Sequence, residues 1–335
     1  METSEINLDA LPEPVPIAEH RWPKETTPLV SIVCATYNHE AFIRDAIEGF
    51  LMQETTFPVE ILIHDDASRD RTPDVVKDYA EKYPLLIKPI LQSANQLSGG
   101  VKPTHVFQLP CALGQYFAFC EGDDYWCYPH KLEKQVAILE SDLSIALTFH
   151  QVFRVKNGEK VERPKWPCYY TGFVDFEKIS KLEVFTPPTS SILVRRSVWN
   201  KEFFRGPYGD RMWAISAGLV GNLYGLEDSW SVYRLHEGGI ATGSSASQRL
   251  LNDSQSRFLI SSIFPISQST LRYHERRIRS NVRNLLRHLE IKKPWQNSFK
   301  TVRCFGYSSY YWLRLFMRVA RGKSTNLRFV HRNGS

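Results

Sequence analysis

No stretch of the 335 residues approaches the run of about 18–20 apolar residues that a bilayer-spanning helix needs. The opening, METSEINLDALPEPVP, is acidic and proline-rich where a secretory signal has basic and apolar regions, so a soluble, cytoplasmic chain is expected. Cysteine is scarce and scattered. Cys34, Cys111, Cys120, Cys127, Cys168 and Cys304 form no C-x-x-C pair and meet no histidine at zinc-finger spacing, which argues against a disulfide framework or a structural zinc. Cys34 and Cys120 lie in apolar runs, where a thiol behaves as a small hydrophobe. No G-x-G-x-x-G follows the first strand, which weighs against a dinucleotide oxidoreductase, and no G-x-S-x-G elbow marks a hydrolase. Gly322-Lys323-Ser324 lacks the earlier glycine of a phosphate loop, that position being Met317. His236-Glu237 lacks the second histidine of a zincin helix, that position being Ile240. No internal repeat is present.

What remains is the composition of a folded protein. Apolar residues make up 42% and aromatics 13%, enough core material to exclude wholesale disorder. The net charge of +6 conceals an asymmetry: residues 271–335 carry 16 Lys/Arg against two acids, and the first 270 carry 26 against 34. A slightly acidic body with a basic tail suggests that the tail meets an anionic partner.

Residues 1–28 hold five prolines and read as a flexible leader. The run LVSIVCATY (29–37) is β-branched and almost wholly apolar, the pattern of a strand buried on both faces. Asn38 is then a plausible N-cap for a helix whose apolar face is Phe42, Ala46, Ile47, Phe50 and Leu51. VEILIH (59–64), IKPILQ (87–92) and YFAFC (116–120) read as further strands, with helices at 73–83 and behind Pro129. SIALTFHQVFRV (144–155), SSILVRRSVW (190–199) and SWSVYRLH (229–236) read as strands, and 210–221 as a helix. Alternating strands and helices indicate an α/β fold with a mainly parallel, Rossmann-like sheet flanked by helices and a C-terminal helical extension. The expected divisions are a leader (1–28), a catalytic domain (29–248) and a basic helical extension (249–335).

In parallel sheets ligands bind beyond the carboxyl ends of the strands. Those ends carry Thr36-Tyr37-Asn38, Asp65-Asp66 and Glu121-Gly122-Asp123-Asp124. Three carboxyls within four residues repel one another unless a hard cation such as Mg²⁺ or Mn²⁺ joins them, and such a cation commonly shares them with phosphate. A solvated acidic turn is the alternative. Asp65-Asp66 fits either a turn cap or a carboxylate that reads a nucleobase or ribose. Thr189, Ser190 and Ser191 fit either acceptor-site hydroxyls or a plain turn, and Trp126 either a sugar platform or a core residue.

VSIVCATYNHEAFIRDAIEGFLMQ, VEILIHDDASRDRT and YFAFCEGDDYW followed by HKLEKQ, with GDRMWAISAGLVGNLYGLEDSWSVYRLHEGG later, resemble glycosyltransferase family 2 over 29–239. The resemblance implies a GT-A fold and inverting transfer from a nucleotide sugar, a UDP-sugar being the expected donor, to a glycan or lipid-linked glycan in surface polysaccharide assembly. By position, Thr36, Tyr37 and Glu40 would hold the nucleoside, and Asp65 or Asp66 would read the base or ribose. Glu121-Gly122-Asp123 falls on the metal motif, with Asp123 or Asp124 as the main contact of Mg²⁺ or Mn²⁺. Asp210 falls on the catalytic base, and His236 on a further metal ligand, an ordinary strand-end histidine being its rival. Ala35 replaces the family's proline, Glu121 opens the metal motif in place of Asp, and the Q-x-x-R-W of processive members is missing, so addition of one sugar or a few is expected. A nucleotidyltransferase, or a non-catalytic binding protein on the same scaffold, are the alternatives. In the tail, 301–323 reads as a basic amphipathic helix suited to an anionic membrane surface at the cytoplasmic face; nucleic acid is not an expected partner.

Overall fold

Order begins before Leu29. Val15–Pro16 (β1) pairs antiparallel with Glu54–Thr55 (β3), and Ile17, only 2% exposed, enters the core. The leader expected over residues 1–28 is therefore anchored here, by one apolar side chain that the surrounding prolines obscure in the sequence. The computed structural model describes residues 14–20, 22–23, 25–156, 159–161, 171–182, 186–200, 209–239 and 245–288. The 301–323 segment lies outside them. The chain divides into two compact units, Met1–Arg205 with Asp210–His236, and Gly206–Gly209 with Glu237–Ser335.

In the first unit, Val30–Thr36 (β2), Val59–Asp65 (β4), Ile87–Leu91 (β5) and Tyr116–Phe119 (β6) form the parallel half of the sheet, in the order β6-β2-β4-β5. All seven residues of β4 are buried, the polar Glu60, His64 and Asp65 among them. Ile43–Leu51 (α1) buries Ile43, Ile47 and Phe50 completely, each contributing about 1.5–3 kcal/mol. Thr72–Lys82 (α2) carries Pro73 in its first turn, where the missing N–H costs nothing. Asn38 does not cap α1: it sits in the left-handed region at φ 54, and its Oδ1 accepts the Arg69 N–H (2.8 Å) across the edge of the sheet.

The second half of the sheet is mixed. Tyr125–Trp126 (β7), Ile145–Lys156 (β8), Glu159–Val161 (β9), Gly172–Val174 (β10), Leu193–Arg195 (β11) and Asn222–Leu235 (β12) complete it, and β11 joins the halves by pairing antiparallel with both β6 and β8. The strand expected over 190–199 is limited to three residues because its partner β6 has only four; single 3-10 turns, Thr189–Ser191 and Arg196–Val198, flank it. β12 runs parallel to β8 and is longer than expected, with register shifts around Ser229 that break its alternation. Further helices are Lys131–Ser141 (α3), Phe176–Lys181 (α4) and Gly209–Val220 (α5), with one π-helical turn at Thr104–Gln108. The second unit contains the helices Ala246–Ile263 and Gln268–His288. No helix among the described residues is long and apolar enough to cross a membrane. No disulfide joins the described cysteines, Cys34, Cys111, Cys120 and Cys127.

Candidate active site

The ladder between β2 and β6 continues past the strand ends. Cys120 N donates to Val33 O (3.2 Å) and Gly122 N to Ala35 O (2.9 Å), which pins Glu121-Gly122-Asp123-Asp124 across the end of β2. Close approach demands glycine at 122, since a Cβ there would lie 2.7 Å from Thr36 Oγ1 and 3.0 Å from Ile43 Cδ1. Glu121, Asp123 and Asp124 present carboxylate oxygens that all lie within 4.8 Å of one another. Asp124 is buried, and its Oδ1 accepts the Arg234 N–H (2.9 Å). Asp123 Oδ1 is buried without a hydrogen-bond partner, while its Oδ2 faces His236 Nε2 at 3.1 Å and His39 Nε2 at 3.8 Å.

Crowding sets the electrostatics. Lost hydration, then the carboxylates of Asp123 and Asp210, push the Glu121 carboxyl up to about 8. The Glu121 side chain is nonetheless exposed to solvent, which tempers that rise. Asp124 is driven up by burial and by Asp123, against the Arg234 N–H. Burial holds His39 below the ordinary histidine range, with Asp123 opposing, so its imidazole keeps a lone pair at neutral pH. Three close carboxylates, one with an orphaned buried oxygen, and two imidazole nitrogens form a donor set that fits a divalent cation.

The long strand β12 closes this edge. Arg234 Nη1 donates to Asp123 O (3.0 Å), its Nη2 reaches Asp45, and its guanidinium lies 4.4 Å from the Tyr125 ring centre. The backbone of the acidic loop is thus held from two sides. Asp210 stands in the first turn of α5, where the helix dipole favours its charged form, but burial raises its carboxyl; the Arg211 charge and amide oppose that rise. Its charge raises Glu121 in turn.

The residues expected around the nucleoside divide. Tyr37 and Asp65 line an open cavity of about 780 Å³, together with Ala67, Ser68, Arg69 and Lys77. Asp65 accepts the Ser68 hydroxyl (2.5 Å) and amide (3.0 Å), and Ala67 takes a left-handed φ of 61, an uncommon conformation for a residue with a Cβ. Glu40 and Asp66 are engaged elsewhere. Glu40 Oε2 accepts the Arg71 N–H (2.9 Å), and the two Asp66 oxygens accept the amides of Gln96 (2.8 Å) and Leu97 (3.0 Å). Thr36 is buried under Gly122 with its Oγ1 unpartnered. Trp126 is a core residue, its Nε1 donating to Ser190 O (2.9 Å), and the buried Ser190 and Ser191 hydroxyls face Ser231 Oγ and Pro188 O. His39 and Arg234 are the residues that sequence reasoning passed over. His39 stands one position beyond the strand-end trio Thr36-Tyr37-Asn38, and Arg234 two before His236.

Beneath the loop, Lys131 is fully buried. Its Nζ donates to Gln135 Oε1 (2.7 Å) and stands 4.1 Å from the Trp126 ring centre. Burial lowers its ammonium to about 7, with Cys120 opposing. Between pH 7 and the unfolded value near 10.5 the unfolded chain therefore binds the extra proton, so stability rises with pH, by at most about 1.4 kcal/mol per unit. Urea unfolding of Lys131→Met across pH 7–10 is expected to show a visibly flatter dependence than wild type. Parallel curves would show that Lys131 stays charged in the fold.

The sequence profile of glycosyl transferase family 2 matches residues 31–201, half of the chain. The chain belongs to glycosyl transferase family 2. An uncharacterized protein of Mycobacterium tuberculosis is 47% identical over 123 residues, 37% of this chain and 35% of that relative, so the match spans about a third of its length. An uncharacterized glycosyltransferase of Nostoc is 29% identical over 218 residues, 62% of this chain and 65% of the relative. Among solved structures, Staphylococcus aureus TarS 1–349 in complex with UDP-GlcNAc superposes with a TM-score of 0.57 at 20% identity, covering 87% of this chain and 79% of that one. The mannosyltransferase PcManGT of Pyrobaculum calidifontis, in complex with GDP-Man and Mn²⁺, gives 0.53 at 14%, covering 91% and 90%. This family-2 chain has the GT-A fold anticipated from its motifs.

Proposed function

We propose that this family-2 chain transfers a single glycosyl group, with inversion, from a nucleoside-diphosphate sugar to a hydroxyl of a glycan or lipid-linked glycan in surface polysaccharide assembly. The donor is a UDP-sugar, and the reaction uses Mg²⁺ or Mn²⁺ at the cytoplasmic face of the membrane. The observation that carries this reading is the trio of carboxylates within 4.8 Å, with Asp123 Oδ1 orphaned, at the sheet edge that also bears the open cavity lined by Tyr37 and Asp65. The complexes of TarS with UDP-GlcNAc and of PcManGT with GDP-Man and Mn²⁺ support the same donor class and cation.

Each residue then has a task. Tyr37 and Asp65 hold the nucleoside in the cavity, while Glu40 and Asp66 fix the loops around it. Asp123, with Glu121 or Asp124 and with His236, binds the cation; His39 adds a nitrogen on the same side. When bound, the cation offsets the charge that develops on the departing diphosphate. Asp210 takes the proton from the acceptor hydroxyl as that oxygen attacks the anomeric carbon. A single displacement inverts the centre and needs no enzyme nucleophile. Arg234 keeps the acidic loop in place through the Asp123 carbonyl.

Mass spectrometry of the chain incubated with a panel of UDP-, GDP- and dTDP-sugars and cell-envelope glycans tests this reading. A mass gain of one sugar from a UDP donor, abolished by chelator, is expected; no turnover of any nucleotide sugar would overturn it. Gly122→Ala is a sharper variant. Its Cβ meets the buried Thr36, which cannot retreat, so the loop shifts and turnover should fall about 100-fold, as for an ångström-scale misplacement. Unchanged turnover would show that the loop position is immaterial.

A further inference from the structure

The helix Gln268–His288 in the second unit has two opposed faces. His274, Ile278, Asn281, Val282 and Leu285 are buried. Asn281 Nδ2 donates to Asp253 Oδ2 (2.8 Å) and His274 Nδ1 lies 3.0 Å from Ser261 Oγ, both on the helix Ala246–Ile263. At about 100° per residue, Arg272, Arg276, Arg279 and Arg283 fall within an arc of about 60° on the opposite side and span about 16 Å along the axis. Arg272, Arg276 and Arg283 are exposed, and none pairs with a carboxylate among the described residues. Arg279 meets Glu275 at 3.7 Å, and Asp253 is engaged by Arg257 and Asn281. Like charges four apart destabilise an isolated helix, and the single acid within the span, Glu275, meets Arg279, so the exposed Arg272, Arg276 and Arg283 have the form of a surface that receives an outside anion.

We infer that this arginine face rests on an anionic phospholipid surface, with the helix axis in the plane of the bilayer. The row is straight and carries no apolar or aromatic side chain, so it suits contact with headgroups from above and not insertion among acyl chains. The net charge of +14 over residues 271–335 adds a long-range attraction of the same sign. The inference does not depend on the glycosyl-transfer reading.

The test is co-sedimentation of the full chain with sucrose-loaded vesicles of phosphatidylcholine, alone or with one-third phosphatidylglycerol. Each basic residue at such a surface contributes about five-fold in partitioning. Arg272→Gln/Arg276→Gln/Arg283→Gln should therefore lower binding to anionic vesicles by about 100-fold, with circular dichroism and the melting temperature unchanged. Charge reversal at the same three positions should lower it further, and high salt should release the wild type. Variant binding within a few-fold of wild type would assign adhesion to another part of the chain and overturn the inference. Wild-type binding equal on neutral and anionic vesicles, no binding at all, or displacement from vesicles by an equal charge of duplex DNA would also overturn it.

Discussion

Asp123→Asn is expected to lower glycosyl transfer by about 1,000-fold, the scale of losing a principal electrostatic contact to a developing charge. The substitution changes volume little and removes the one carboxylate whose Oδ1 is buried without a partner and whose Oδ2 meets both imidazoles. It also removes a charge that raises Glu121 and Asp124. The melting temperature of the cation-free protein should therefore hold or rise while Mn²⁺ affinity falls. That opposition separates a ligand from a structural residue: lower stability together with intact Mn²⁺ binding would move Asp123 out of the metal site.

Asp210→Asn should lower turnover by about 10²–10⁴-fold, the range for a positioned base, while the KM for the donor stays near its wild-type value. Burial raises the Asp210 carboxyl, so its base form is lost on acidification at a higher pH than for an ordinary aspartate. The acidic limb of the wild-type pH–rate profile should report that protonation, and the variant should lose the limb. If donor KM rose in step with the fall in rate, Asp210 would be a donor-binding residue.

The parallel half of the fold was legible chiefly through β2 and β4, which are short, almost wholly buried and rich in β-branched residues, and through the buried aromatic run of β6. The second half was less so. β12 carries register shifts around Ser229, so its alternation is broken where a sequence reading looks for it. The length of β11 is set by its neighbour β6 and not by its own residues. At the site, the roles of Asp210 and His236 rest on the family resemblance, while the acidic motif and its place at a strand end were visible in the sequence. The fate of individual oxygens was not, because Glu40 and Asp66 bind amides of loops about thirty residues away in the chain. His39 and Arg234 escaped for the same reason: each matters through a partner that only the fold brings within reach.

The proposed function requires the acidic loop at the end of β6 to bind a nucleoside diphosphate through a divalent cation. Calorimetric titration of UDP and GDP into the chain, with Mn²⁺ or with chelator, tests it most directly. Cation-dependent binding of UDP, lost with chelator and in Asp123→Asn but retained in Asp210→Asn, is the expected result. Equal affinity with and without cation, or in Asp123→Asn and wild type alike, would contradict it.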